Sequence, residues 1–123
     1  MSHDIDHRDE ARPSVKVQHG LGSARTAVTV IHALGEHDYA SRSILASTVE
    51  EFEGHVLVDL TSCTFLHSSV IGALLSKARA LGKKGYRLEL VVPKSAPFAR
   101  KVERMRLATL LPVHAAMPPT ETA

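Results

Sequence analysis

The stretch HVLVDLTSCTFLHSSVIGALLSKARAL, residues 55–81, changes period half-way along its length. His55 to Leu60 is an almost unbroken β-favouring apolar run, the signature of a central strand covered on both faces. Ile71, Leu74, Leu75, Ala78 and Leu81 then recur at i, i+3, i+4, i+7 and i+10, which predicts a strongly amphipathic helix stopped by Gly82 or Gly85. A strand that hands its chain to a helix within a few residues is the building unit of an α/β domain. The handover is FLHSSV, where three polar residues, His67, Ser68 and Ser69, separate two apolar runs.

The same alternation extends in both directions. Downstream, Arg87 to Val92 (RLELVV) reads as another strand. Ser95-Ala-Pro97 suits the opening of a third helix, with serine at the cap and proline in the first turn. Its buried stripe would be Phe98, Val102 and Met105, with Arg100, Lys101, Arg104 and Arg106 largely off that stripe. Leu110 to Val113 is a candidate last strand. Upstream, Ser14 to Gln18 (SVKVQ) alternates as a short strand, and Thr26 to Ala33 (TAVTVIHA) is β-branched and apolar. GEHD, Gly35 to Asp38, reads as a turn. From Ser41 the positions Ile44, Leu45, Thr48, Val49 and Phe52 share a helical face, and Gly54 fits the stop. The order is ββαβαβα: an α/β fold with a mixed sheet of four or five strands and three main helices. The β–α–β units favour parallel pairing with right-handed crossovers, and the first two strands suit an antiparallel ribbon.

The 123 residues are most simply one domain, expected over 14–116. Residues 1–13 and 117–123 carry no apolar period and are expected as disordered tails. A net charge of +2 is too small to argue for nucleic acid or an anionic membrane. No segment approaches the roughly 18 apolar residues that span a bilayer. The polar start MSHDIDHRDEARP is not a secretory signal, and the single cysteine, Cys63, has no internal partner; both favour a reducing, cytoplasmic setting.

Two readings of the junction stay open on local pattern. Ser68 can be a plain N-cap, or a serine can display its hydroxyl for chemistry. A cap needs one serine and the junction offers two. If Ser68 caps, Ser69 lies in the first turn, where a phosphate would meet unpaired amides and add about −2 of charge.

The order of elements, the GEHD segment and VDLTSCTFLHSSVIGALL together resemble a STAS domain, and more narrowly the anti-sigma factor antagonists of bacteria. That family reads G-E-L-D after the second strand and D-S-S/T-G-L-G at the strand–helix junction. Gly35, Glu36 and Asp38 match the first motif; Ser68, Ser69 and Gly72 match the second. His67 stands where the family has aspartate, and Val70 where it has glycine. The resemblance implies a binding module that is not an enzyme. Its partner would be an anti-sigma factor that is also an ATP-dependent serine kinase, and binding would free a sigma factor. Phosphorylation at Ser69 would release the antagonist. The implied partner surface is Glu36, His37, Asp38, Tyr39, His67, Ser68, Ser69 and Val70. The alternative is a constitutive STAS subunit of a larger assembly, such as a stress-signalling complex or a lipid-transport ATPase, without the switch.

Other signals are weaker. His67 beside two serines invites a hydrolase reading, but no G-x-S-x-G elbow is present and sequence neighbours rarely form a nucleophile–base pair. HDIDH, His3 to His7, lies in the expected tail and offers no rigid ligand set, so no metal and no cofactor are expected. Cys63 reads as a buried structural thiol. No aromatic residue interleaves with the basic set of the third helix, which argues against direct nucleic-acid binding.

Overall fold

The computed structural model describes residues 12–122. The tail expected over 1–13, with its HDIDH segment, lies outside the described residues apart from Arg12 and Pro13. The strands are β1 (Ser14–Leu21), β2 (Ala27–His37), β3 (His55–Leu66), β4 (Leu88–Val91), β5 (Val113–His114) and β6 (Glu121–Thr122). The α-helices are α1 (Arg42–Glu51), α2 (Ser68–Lys83) and α3 (Ala99–Arg104). One sheet runs in the order β5-β4-β3-β2-β1-β6. The expected mixed sheet is present, extended at one edge by the two-residue β6.

β1 and β2 pair antiparallel, as their adjacency suggests, while β2, β3, β4 and β5 are all parallel. Each crossover steps the same way along the sheet. Right-handed crossovers in one direction put every helix on the same face. Ile31, Val58, Leu60 and Leu90 from that face join Leu45 and Val49 of α1, Ile71, Leu74 and Leu81 of α2, Val102 of α3 and Phe98 just before it in one core. The opposite face carries a smaller cluster, Val30, Leu57 and Val91, with Val28 against it. Two-sided burial explains why His55 to Leu60 shows no alternation.

Five local expectations change. GEHD is not a turn: β2 runs on to His37, and Gly35, at φ 80°, lies where the register against β3 shifts. Such a bulge re-aims the strand end without breaking the pairing. β3 likewise runs to Leu66, because Thr61, Thr64 and Phe65 suit a strand that has a parallel neighbour to pair with. The third helix is one and a half turns long. Arg106, in the left-handed region at φ 54°, ends it, and Met105 is 37 % exposed rather than buried. The last strand is Val113–His114, three residues later than the start expected for it. The segment 117–123, expected as a tail, places Glu121–Thr122 against Leu21 and Gly20.

On the helix side a charge enters the core. Lys77 is buried on α2, and its ammonium donates to the Glu50 carbonyl at 3.3 Å, with the Glu53 carboxylate at 3.8 Å. It ties α2 to the end of α1. No helix of the described residues is long and apolar enough to cross a membrane.

Candidate functional site at the junction of β3 and α2

Parallel neighbours end on the same side of a sheet. Through two register shifts β2 and β3 stay paired to their ends, His37 opposite Leu66, and the His67 amide donates to the His37 carbonyl at 2.9 Å. The segment after β2 and the start of α2 are therefore side by side. This is the carboxyl edge of the parallel strands, where open α/β sheets tend to present their sites.

The cap of α2 is His67, not Ser68. His67 has extended backbone angles, and its Nδ1 accepts from the Ser69 amide at 3.0 Å. The Ser69 hydroxyl lies 2.9 Å from the same nitrogen. An Nδ1 that accepts an amide hydrogen carries no proton of its own, so the neutral ring holds its hydrogen on Nε2 and the hydroxyl is the second donor to Nδ1. An imidazole thus does what the aspartate of the resembled motif would do as a cap: it offers an acceptor to the first free amides of the helix. Ser68, released from capping, is exposed, and Ser69 is half-buried.

Of the eight residues expected to form a partner surface, six are exposed or half-buried at this edge. Glu36, Asp38, Tyr39 and Ser68 are exposed or nearly so, and His67 and Ser69 are half-buried. His37 and Val70 are fully buried, which corrects their placement on the surface. The strand period turns His37 inward next to exposed Glu36. Val70 is the first residue of the apolar stripe that seats α2 on the sheet. His37 donates from Nε2 to the Leu34 carbonyl at 3.0 Å, and its Nδ1 has no partner among the described residues. Burial holds its pKa below the ordinary 6.5, so the ring under the site is neutral.

The loop between β2 and α1 is built by Asp38. Its Oδ1 accepts from the Ser41 amide at 2.9 Å and from the Ser41 hydroxyl at 2.7 Å, while the Asp38 amide donates to the Ser41 hydroxyl at 3.1 Å. These bonds, the Ser41 hydroxyl first, hold the Asp38 carboxyl below its usual pKa. The turn throws Tyr39 outward, 57 % exposed, with its ring edge-on to His67 at 5.5 Å and the Arg42 guanidinium 3.9 Å over it.

Three surface residues at this edge were not legible as part of it. Arg42 covers Tyr39. Phe65 is 41 % exposed at the end of β3. Lys101, assigned from sequence to a solvated helix face, donates to the Leu66 carbonyl at 3.0 Å and stands 5.2 Å over the Phe65 ring. The signal available was the last outward position of a strand occupied by an aromatic. Tyr39 and Phe65 make an apolar rim with a cation against each, the composition typical of protein–protein contact. Cys63 points inward behind this rim; its thiol donates to the Phe65 carbonyl at 3.2 Å, and burial pushes its pKa up to about 11. Among the described residues no cluster of three or more His, Cys, Asp or Glu side chains could hold a metal ion.

The family model described as STAS domain matches residues 17–117. No curated protein matches the chain. Among solved structures, it is similar to an anti-sigma factor antagonist from Mycobacterium paratuberculosis. That match has 20 % identity and a TM-score of 0.62, over 85 % of this chain and 88 % of that one. It is also similar to the Bacillus cell fate determinant SpoIIAA in its phosphorylated form, with 21 % identity and a TM-score of 0.55, over 80 % of this chain and 90 % of that one. The anti-sigma factor antagonist SpoIIAA in its unphosphorylated form gives 20 % identity and a TM-score of 0.54, over 83 % and 90 %. At these identities the likeness establishes a shared fold.

Proposed function

Because the chain belongs to the STAS domain family, we propose that it works as an anti-sigma factor antagonist, a binding module whose partner is a protein carrying an anti-sigma, serine-kinase function. The observation that carries this reading is the juxtaposition of Tyr39 with the His67–Ser69 cap at the edge of the sheet. A rim of two exposed aromatics around two hydroxyls suits recognition of a folded surface. His67 and Ser69 are within hydrogen-bond reach, and among the described residues no carboxylate bonds the His67 ring, which favours a reading of contact over one of turnover.

Ser69 is the proposed phosphorylation site. A phosphate there would lie at the amino end of a 16-residue helix, whose partial positive charge tolerates it, so the domain would stay folded. The same charge would have to be desolvated by any partner packed on Tyr39 and Phe65, so modification would weaken the complex. Binding would free a sigma factor, and phosphorylation would end the binding.

One observation favours a second reading. The Ser69 hydroxyl is already engaged by His67 and half-buried, so a kinase would have to break that bond. If it does not, the same surface serves as a permanent contact of a larger assembly. The experiment is to capture the partner with the chain from the native cell extract, supply ATP, and map phosphate by mass spectrometry. Phosphate on Ser69 with loss of the captured partner supports the switch. A stable complex with unmodified Ser69 after prolonged incubation supports the constitutive subunit.

A further inference from the structure

His67 and Ser69 are joined twice. The Ser69 amide donates to Nδ1 of His67 at 3.0 Å, and the Ser69 hydroxyl lies 2.9 Å from the same nitrogen. With the ring neutral and its hydrogen on Nε2, that hydroxyl hydrogen is directed at Nδ1. The ring also packs edge-on against Tyr39 at 5.5 Å, and Tyr39 lies under the Arg42 guanidinium at 3.9 Å. The His67 amide is tied to the His37 carbonyl at 2.9 Å. Backbone and ring are therefore both fixed beside the serine. An aspartate at this position, as in the resembled motif, would set a permanent negative charge next to any phosphate on Ser69. An imidazole can change its charge.

The other charged groups on the neighbouring elements are engaged or turned outward. The Asp38 carboxylate accepts from the Ser41 amide and hydroxyl. Arg42 donates from Nη1 to the Tyr39 carbonyl at 2.6 Å, and Lys101 of α3 donates to the Leu66 carbonyl at 3.0 Å. Glu36 is exposed on β2, and the first turn of α2 holds no acidic residue. His37 is buried and neutral, with its Nε2 on the Leu34 carbonyl. Among the described residues, His67 is the side chain that bonds the Ser69 oxygen.

We propose that phosphorylation of Ser69 turns His67 from a hydrogen-bond acceptor into a cation, the ring keeping the hydrogen that the serine gives up and holding it against the new phosphate. The inference rests on the reading of Ser69 as the modified residue. In the transfer the Ser69 O–H bond breaks and a bond from Oγ to the γ-phosphorus of ATP forms. The bond from that phosphorus to its bridging oxygen breaks, and ADP leaves with the electron pair. The hydrogen, already directed at Nδ1, ends on that nitrogen; Nε2 keeps its own, so the ring becomes imidazolium. Rotation about the Oγ–P bond turns an outer phosphate oxygen toward Nδ1–H, a bond charged on both sides. Another oxygen takes the Ser69 amide that Nδ1 no longer accepts, so the helix keeps a cap. The junction then gains about one negative charge instead of about two.

The test uses the full chain with phosphoserine installed at position 69 during synthesis, so neither partner nor kinase enters it. A partner that never modifies Ser69 would sink the functional reading without touching this result. Phosphorus NMR follows the second ionisation of the phosphate against pH in two chains, the natural sequence and His67→Asn. The asparagine keeps an oxygen acceptor at the cap and carries no charge. His37, Asp38, Arg42 and Lys101 are the same in both, so their effects cancel. A cation in hydrogen-bond contact should move the ionisation at least about one pH unit lower in the natural chain than in His67→Asn. Nitrogen-15 spectra of the His67 ring at about pH 7.5 should show hydrogen on Nε2 alone before modification and on both nitrogens after it. Equal ionisation in the two folded chains overturns the proposal, and so does a ring that stays neutral beside the phosphate. If His67→Asn does not fold, the ring spectra of the natural chain decide alone.

Discussion

Replacing His67 by Ala should destabilise the domain by about 1–3 kcal/mol, and the size can be built from two contacts. The first is the cap: Nδ1 accepts the Ser69 amide at 3.0 Å, and losing an N-cap acceptor costs about 1 kcal/mol, within roughly 0.5–2. The second is the edge-on ring contact with Tyr39 at 5.5 Å, about 0.5–1.5 kcal/mol beyond area burial. His67→Asp keeps an acceptor at the cap and loses only the ring contact, so it should recover about half of the loss. Ser68→Ala removes an exposed hydroxyl that caps nothing and should stay within about 0.5 kcal/mol of the parent. Urea midpoints at fixed slope measure all three, and a thermal scan should show a shift on the order of 4 °C per kcal/mol for a chain of this size. If Ser68→Ala costs as much as His67→Ala, or His67→Asp is as unstable as the alanine variant, His67 is not the cap.

Leu74 is 1 % exposed at the centre of the α2 stripe, so Leu74→Ala should cost about 2–5 kcal/mol in the same unfolding assay. The Cys63 thiol, held up to about 11 by burial, should resist alkylation at pH 8 in the native protein and react fully in denaturant. For His37 the sign follows from burial, which lowers the folded pKa below 6.5. The unfolded chain therefore binds the proton first as pH falls, and stability present at neutral pH is lost below about pH 6.5, by up to about 1.4 kcal/mol per pH unit. His37→Gln should remove that component, measured as the difference in urea midpoint between the two chains from pH 7.5 to 5.

The sequence made the α/β order readable because two periods, near 2 and near 3.6, alternate along it without overlap. Ile71, Leu74 and Leu81 are where the spacing put them, and the antiparallel pairing of β1 with β2 follows from a short connection. What it concealed depended on partners distant in sequence. Thr61 to Leu66 looks polar and loop-like until β2 is beside it, and GEHD looks like a turn until Gly35 absorbs a bulge. Ser68 was the obvious capping residue, yet His67 caps from the preceding position, with its ring nitrogen on the Ser69 amide. His37 and Val70 sit inside motifs that resemble a contact surface, but the strand period and the helix stripe turn both inward. Phe65 and Lys101 are 36 positions apart and meet only through the placement of α3. The pairing of Glu121–Thr122 with Leu21 and Gly20 could not be read at all, since a proline-rich end without apolar period gives no sign of a strand.

The central claim is that Ser69 sits in a partner surface whose charge state sets binding. The most direct measurement is the affinity of the captured partner for three folded chains: the natural sequence, Ser69→Ala and Ser69→Asp. A small hydroxyl at the rim contributes little, so Ser69→Ala should bind within about threefold of the natural chain. A carboxylate that the partner must desolvate should cost about 2–5 kcal/mol, a weakening of roughly 30-fold or more. Equal affinity of Ser69→Asp and the natural chain, with both folded, would contradict the account.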